Sequence, residues 1–472
     1  MPIVAAYAVP HPPLIVPSVG RGREREIADT IAAYEEVARR IAAHAPDTIV
    51  IASPHATMYA DYFHISPGVR AYGDFGQFGA ASTEFMVEYD QPLVDQICAL
   101  ADRDGLAAGT LGLRMRELDH GTMVPLYFVQ RACDEAGVHP QYVRIGLSGL
   151  PTSDHYKLGM LIAEAARDLG RRVVMLASGD LAHKLKDDGP YGFAPEAPEF
   201  DEQICEVFAS GDFLALLEFD RGFCERAAEC GLRSFQIMAG ALDRTAITPE
   251  LLSHEGTFGV GYGIACFELA GEEGACESRA FLPAYEAWRQ RDLADRKAHE
   301  DAYVRLARAS LEAWVSERRA VTPADVDGLP AELLDRRAGC FVSLKKDGNL
   351  RGCIGTIAPT QASLAAEICE NARSASTRDP RFDAVGPDEL ADLVYDVDVL
   401  GEPESIASEA ELDPKRYGVI VSDAYGRRGL LLPDLDGVDT AEEQVRIAAR
   451  KGGIDLFDRG VRLQRFEVVR HV

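Results

Sequence analysis

Ile3-Val-Ala-Ala-Tyr-Ala-Val9 is an unbroken apolar run near the start of the chain, and Pro10-His-Pro-Pro13 follows it directly. A run of this length suits one buried strand of a parallel sheet. Thr48 to Ala52 has the same character, and the stretch Glu24 to Ala43 between the two runs has apolar residues at helical spacing. Such alternation continues to about residue 269. It predicts an α/β domain with a mostly parallel central sheet.

The length of the chain predicts more than one domain. A chain of 472 residues is too long for one hydrophobic core. We predict an N-terminal α/β domain at 1–272 and a linker at 273–296, which contains a charged stretch. A smaller C-terminal α+β domain is predicted at 297–472.

The charge of the chain bears on its partners. It has 76 acidic and 49 basic side chains, which give a net charge of −27. A surface this acidic repels phosphates, so we expect neither nucleic acid nor an anionic membrane as a partner. The apolar runs are too short to span a bilayer, and the N-terminus lacks the basic region of a signal peptide. We therefore expect a cytoplasmic protein, and the sequence leaves a homo-oligomeric state open.

Three histidines follow predicted strands. His11 and His55 each come after a strand and are flanked by proline, and His183 follows the strand that ends at Ala177. Ligands of open α/β sheets bind beyond the carboxyl ends of the strands, and proline stiffens the turns there. We therefore predict that His11 and His55 are metal ligands. His183 suits either a ligand or a general acid–base, because imidazole titrates near neutral pH.

A carboxylate would complete a metal site with the first two histidines. We select Glu255, because it lies in a glycine-rich stretch, Ser253-His-Glu-Gly-Thr-Phe-Gly-Val-Gly-Tyr262, that permits close approach of backbone and ligand. Two imidazoles and one carboxylate are typical of non-haem Fe(II) oxygenases. The same donors also suit catalytic Zn²⁺. His120, before a helix-like stretch, fits either a helix-capping region or a place beside the metal.

Five separated motifs together resemble the class III extradiol dioxygenase superfamily and its LigB-like fold. They are His-Pro-Pro-Leu from His11, Ser-Pro-His ending at His55, Asp-His-Gly-Thr-Met-Val-Pro-Leu around His120, Ser-Gly-Asp-Leu-Ala-His ending at His183, and Glu-Gly-Thr-Phe-Gly-Val-Gly-Tyr from Glu255.

This resemblance implies a role for each histidine. It implies that His11, His55 and Glu255 bind Fe(II). His183 would be the catalytic acid–base, and His120 a catalytic residue that faces the substrate. The implied reaction opens the ring of a catecholic or related phenolic small molecule beside its hydroxyl groups.

The C-terminal part resembles an AMMECR-type domain. Leu350-Arg-Gly-Cys-Ile-Gly-Thr356 and Asp379-Pro-Arg-Phe382 carry this resemblance. Arg351 and Arg381 are candidate substrate-binding residues for an anion, although both could instead pair with local carboxylates. Cys353 is expected to be a structural thiol.

Three functions stay open. The first is an Fe(II)-dependent extradiol-type dioxygenase that acts on a phenolic substrate. The second follows from the domain fusion, which resembles a component of the AmmeMemoRadiSam system: a metal-binding protein that works with a radical SAM partner and has no dioxygenase activity. The third is a Zn-dependent hydrolase that uses the same ligands.

Overall fold

The protein consists of two compact units, Met1–Arg289 and Gln290–Val472. A computed structural model describes residues 2–115, 117–271, 275–435, 437–438, 440–458 and 460–472. The domain boundary that we predicted at 272–273 lies outside the described residues.

Among its described residues, the N-terminal unit has ten strands and ten α-helices, the last helix running past its end. The strands are β1 (Ile3–Val9), β2 (Thr48–Ser53), β3 (Phe63–His64), β4 (Arg70–Phe75), β5 (Ala80–Glu88), β6 (Ala108–Gly109), β7 (Gln141–Gly146), β8 (Val173–Ser178), β9 (Ile247–Glu255) and β10 (Tyr262–Leu269). The helices are α1 (Pro17–Gly20), α2 (Ala28–His44), α3 (Gln91–Asp104), α4 (His120–Ala136), α5 (Thr152–Asp168), α6 (Glu196–Ser210), α7 (Phe213–Glu218), α8 (Arg221–Ala227), α9 (Leu232–Ala241) and α10 (Phe281–His299).

The central sheet of this unit has the strand order β7-β2-β8-β1-β10-β9. Strands β7, β2, β8 and β1 are parallel, while β10 and β9 are antiparallel at one edge. Every residue of β1, β2 and β8 is buried, which explains why these strands read as continuous apolar runs. The prediction of an α/β domain with a mostly parallel sheet is confirmed.

Helices cover both faces of this sheet. Helices α2 and α4 pack on one face, and α3, α5 and α9 pack on the other. Because β1, β2 and β8 are parallel, their carboxyl ends lie at the same edge. The residues that follow these three strands are therefore brought together.

The stretch that we predicted as a linker includes most of helix α10. The first half of this helix packs against the core of the N-terminal unit through Phe281, Tyr285 and Trp288. In the described residues, no helix combines the length and the apolar character needed to cross a membrane.

The C-terminal unit is a smaller α+β structure, as predicted. Its strands are β11 (Cys340–Lys346), β12 (Asn349–Gly355), β13 (Leu393–Leu400), β14 (Glu404–Ile406), β15 (Tyr417–Ser422), β16 (Arg428–Leu431) and β17 (Arg462–His471), and its helices are α11 (Ala302–Glu317), α12 (Ala331–Asp335), α13 (Leu364–Thr377) and α14 (Ala441–Gly452). The antiparallel sheet runs β12-β11-β13-β17-β15-β16, and β14 also pairs with β17. Helices α11 and α13 pack on one part of the sheet and α14 on another.

Two glycines allow helices α5 and α9 to cross at backbone contact. A Cβ atom at Gly159 would lie 2.0 Å from the carbonyl oxygen of Ile237. A Cβ atom at Gly240 would lie 1.9 Å from the carbonyl oxygen of Tyr156. Any larger residue at either position therefore has to push the two helices apart.

We expect Gly159→Ala to destabilise the N-terminal unit by about 1–3 kcal/mol, because the added methyl group overpacks the helix crossing. Thermal and urea unfolding would measure the change. Gly222→Ala in α8 is the matched control, since a Cβ there would meet side-chain atoms rather than backbone, namely Arg226 Nη1 and Asp220 Oδ1, each at 3.3 Å. Equal stability of the two variants would contradict the close crossing of α5 and α9.

Candidate metal centre

Three imidazole rings meet at the carboxyl edge of the central sheet. His11 follows β1, His55 follows β2, and His120 is the first residue of α4. One ring nitrogen from each histidine lies within 4.8 Å of the other two. His11 is only 2% exposed, His120 is half-buried and His55 is exposed. The group is therefore anchored in the core and opens to solvent beside His55.

Hydrogen bonds fix the protonation of the His11 ring. The Ser178 hydroxyl donates to the carbonyl oxygen of Gly121 at 2.6 Å, so its proton is already used. His11 Nδ1 lies 3.0 Å from the same hydroxyl oxygen and must act as the donor. His11 Nε2 is then the unprotonated nitrogen, and its lone pair points towards the other histidines. Proteins commonly orient a metal-binding imidazole through such a hydrogen bond from its other ring nitrogen.

The spacing of the first two histidines suits a shared cation. His11 Nε2 and His55 Nε2 lie 3.0 Å apart. When two nitrogens each lie about 2.1 Å from one metal ion and the nitrogen–metal–nitrogen angle is a right angle, the nitrogens are about 3.0 Å apart. Without a cation, two facing nitrogens at this distance need a shared proton. The residues present therefore fit a divalent metal ion.

Tight packing positions the third histidine. Asp119 caps α4 through a backbone N–H of its first turn and accepts a 2.6 Å hydrogen bond from the Ser53 hydroxyl at the end of β2. A Cβ atom at Gly121 would lie 2.4 Å from that hydroxyl oxygen and 3.3 Å from Cδ2 of His55. Only glycine permits this approach, which brings His120 beside His55.

Burial keeps the three rings neutral at neutral pH. Desolvation lowers the pKa of His11 well below its usual value and also lowers the pKa of His55. The pKa of His120 falls to about 4, through desolvation first and then the neighbouring His55 and His11. Neutral imidazoles offer lone pairs to a metal without first releasing a proton.

Two further residues of the site were missed by the sequence reasoning. The buried Asp180 carboxylate accepts a hydrogen bond from the His11 amide at 2.6 Å, and burial raises its pKa. Cys230 Sγ lies 3.7 Å from His11 Nε2, and burial raises the pKa of this thiol well above its usual value. Asp180 lies inside the motif that ends at His183 and could have been found there. Cys230 stands in no motif that we recognised.

The Glu255 carboxylate does not join the histidine group, so its role as a metal ligand stays a prediction. Among the described residues, the group consists of His11, His55 and His120. The carboxylate of Glu255 instead accepts hydrogen bonds from the amide and hydroxyl of Thr30, at 2.7 and 2.6 Å. Thr30 lies in the first turn of α2, whose free N–H groups and helix dipole attract a carboxylate.

His183 lies near the group without joining it. Its charge contributes to the lowered pKa of His11 and of His55, which places it within electrostatic range of both. The preceding residue, Ala182, donates its amide to the buried Asp201 carboxylate at 2.9 Å. His183 Nδ1 is buried, and no described residue hydrogen-bonds to it. A ring so placed can exchange a proton with a molecule bound over the group.

The two candidate arginines of the C-terminal unit are paired with carboxylates. Arg351 binds both oxygens of Glu389 at 2.9 Å, and this pairing lowers the pKa of Glu389 to about 2. Arg381 binds both oxygens of Asp379 at 2.9 and 2.7 Å. Of the two alternatives, the structure shows local pairing. Burial raises the pKa of the Cys353 thiol, as expected for a structural cysteine.

The sequence matches two known protein families. Residues 5–265 match the family described as the catalytic LigB subunit of aromatic ring-opening dioxygenase. The chain belongs to the LigB family. Residues 304–471 match AMMECR1, so this member of the family carries a LigB domain and an AMMECR1 domain in one chain. That fused arrangement confirms the resemblance seen in the sequence.

Similar proteins occur in several microorganisms. Protein CA_C1420 of Clostridium acetobutylicum is 40% identical over 98% of each chain. A protein of Thermotoga maritima is 52% identical over 36% of this chain and 98% of its own length. The solved structure of protein JW3007 from Escherichia coli is 15% identical, covers 56% of this chain and 99% of its own, and has a TM-score of 0.37.

We expect Ser178→Ala to weaken metal binding about 10- to 100-fold, because His11 loses the oxygen that fixes its tautomer. Competition with a chromophoric chelator would measure the dissociation constant for Fe(II) under anaerobic conditions. Ser18→Ala is the control, since this exposed hydroxyl contacts only the Thr83 hydroxyl. Unchanged affinity of Ser178→Ala would contradict the assigned proton positions.

Proposed function

We propose that the LigB domain is a non-haem Fe(II)-dependent dioxygenase of the extradiol type. Its substrate would be a catechol or a related phenol. The observation that carries the proposal is the 3.0 Å separation of His11 Nε2 and His55 Nε2, at the solvent-open edge of a LigB domain. Both atoms of dioxygen enter the ring-opened product, so the reaction needs no outside reductant.

The residues that would hold the metal are His11, His55 and His120. When bound, Fe(II) would supply open coordination positions for a chelating diol and for dioxygen and would let charge pass between them. The buried Asp180 carboxylate, bound to the His11 amide, adds negative charge beneath the site. In a buried place, this charge strengthens the binding of a cation.

His183 would move protons for the reaction. Its Nδ1 is buried without a partner among the described residues, and its charge acts on both His11 and His55. As a general base it takes a proton from a substrate hydroxyl, and as a general acid it later returns one to a product oxygen. The backbone before it is held by the hydrogen bond from the Ala182 amide to Asp201.

Cys230 would be a further donor to the metal. Its sulfur lies 3.7 Å from His11 Nε2. Burial disfavours the free thiolate, and a bound cation would offset this effect by stabilising the thiolate charge. An imidazole and thiolate donor set also suits zinc, so zinc is the competing metal and a Zn-dependent hydrolase is the competing function. Metal analysis of the protein purified without added metal distinguishes the two.

We expect Co(II)-loaded protein to show a sulfur-to-metal charge-transfer band in the near ultraviolet. Cys230→Ser should lose this band and retain the weaker ligand-field bands of the histidine donors. Cys205→Ser, which replaces a half-buried thiol in α6, is the control and should keep the band. A band that survives in Cys230→Ser would remove this cysteine from the ligand set.

We expect the protein loaded anaerobically with Fe(II) to consume oxygen with at least one member of a catechol panel. His11→Ala should abolish uptake through loss of metal. His183→Gln should keep the metal and lower the rate about 10²- to 10⁴-fold, the usual contribution of a general acid–base. An oxygen electrode, with metal content measured on the same samples, provides the readout.

His139→Gln is the matched control for these variants, because its side chain is 76% exposed and faces only Asp134. No oxygen uptake by iron-loaded wild-type protein across the panel would reject the proposed reaction. Full activity of His183→Gln would reject its role in proton transfer.

A further inference from the structure

Two loops each place an aromatic ring against a histidine of the site. At the tip of the β4–β5 hairpin, the Phe78 ring centroid lies 5.6 Å from that of His120, with an interplanar angle of 75°. In the loop at 184–194, the Tyr191 ring centroid lies 5.3 Å from that of His183, at 79°. Both contacts have the edge-to-face geometry that aromatic pairs prefer. Each ring therefore contacts a histidine to which we assign a part in the reaction.

The loop that carries Tyr191 is held to the turn that follows β9. Lys186 donates from Nζ to the carbonyl oxygen of Thr257 at 2.8 Å. A Cβ atom at Gly189 would lie 3.2 Å from Cα of Gly259, so the two backbones are in close contact. These contacts fix the place of Tyr191 although its ring is largely in solvent.

The exposure of this ring distinguishes it from a core aromatic residue. Tyr191 is 59% exposed while its edge contacts the half-buried His183. Phe193, two residues away, is 50% exposed, but it makes no ring contact with a site histidine among the described residues. A flat apolar molecule bound over the histidines would remove part of the Tyr191 ring from water, which favours binding.

We propose that Phe78 and Tyr191 are specificity-determining residues that bind the aromatic ring of the substrate between the two loops. The histidine group binds the polar end of the same molecule. This inference rests on the proposed function, because it takes the histidine group as the place where the substrate oxygens bind. It predicts that the site favours flat aromatic diols over aliphatic chelators. One aromatic contact accounts for about a two- to tenfold factor in affinity.

The test compares two bidentate ligands of the iron-loaded full chain under anaerobic conditions. The first, 4-nitrocatechol, has an aromatic ring and a visible absorption band that changes on binding. The second, acetohydroxamate, has no ring, and calorimetry measures its binding. Tyr191→Leu and Phe78→Leu should each weaken 4-nitrocatechol about two- to tenfold and leave acetohydroxamate unchanged. Tyr191→Phe should bind both ligands as the wild type does.

Phe193→Leu is the matched control, since it removes a similarly exposed ring from the same loop, and it should bind both ligands normally. The inference is overturned by unchanged 4-nitrocatechol affinity in Tyr191→Leu and Phe78→Leu. It is also overturned by an equal loss for both ligands, which indicates general damage to the site.

These titrations involve no turnover, so they separate the inference from the proposed function. If the Leu variants weaken only 4-nitrocatechol and the wild type consumes no oxygen, the dioxygenase reaction is rejected while the binding site for an aromatic ring is supported. A second outcome is oxygen uptake with catechols whose KM is the same in Tyr191→Leu and Phe78→Leu as in the wild type. It would support the dioxygenase reaction and reject the role of the two residues in substrate binding.

Discussion

The hydrogen bond from the Ser178 hydroxyl to the Gly121 carbonyl is the contact on which the candidate metal centre depends. It joins the end of β8 to the first turn of α4 at 2.6 Å. Because the hydroxyl proton is committed there, the Nδ1 atom of His11 has to donate to Ser178, and Nε2 is left with its lone pair. A single contact in the core thus determines both the position of a helix and the chemistry of a ring.

A carboxylate at the end of an edge strand stabilises the start of helix α2. Glu255 ends the edge strand β9 and binds the amide and hydroxyl of Thr30 at the start of α2. Helix α2 packs on one face of the central sheet, so this contact joins the edge strand to that helix. In the structure, Glu255 therefore acts through the helix at whose N-terminus it lies.

In the C-terminal unit, two arginines are paired with carboxylates, which the sequence motifs alone did not decide. Arg351 and Arg381 stand in the two segments that identify the AMMECR1 domain, and the sequence alone allowed either anion binding or pairing. Each guanidinium forms two hydrogen bonds with one carboxylate, from Glu389 and Asp379 respectively. Their charge is thus already balanced within the unit.

The sequence by itself determined the α/β class, the two-domain organisation and the positions of His11 and His55 beyond two strands, because local periodicity and strand ends are encoded in consecutive residues. It could not determine which donors meet. His120 joins the group because Gly121 lets α4 approach β2, and Cys230 arrives from a distant loop without a local pattern. Only the tertiary structure decided these contacts, since they depend on the packing of elements that are far apart in the chain.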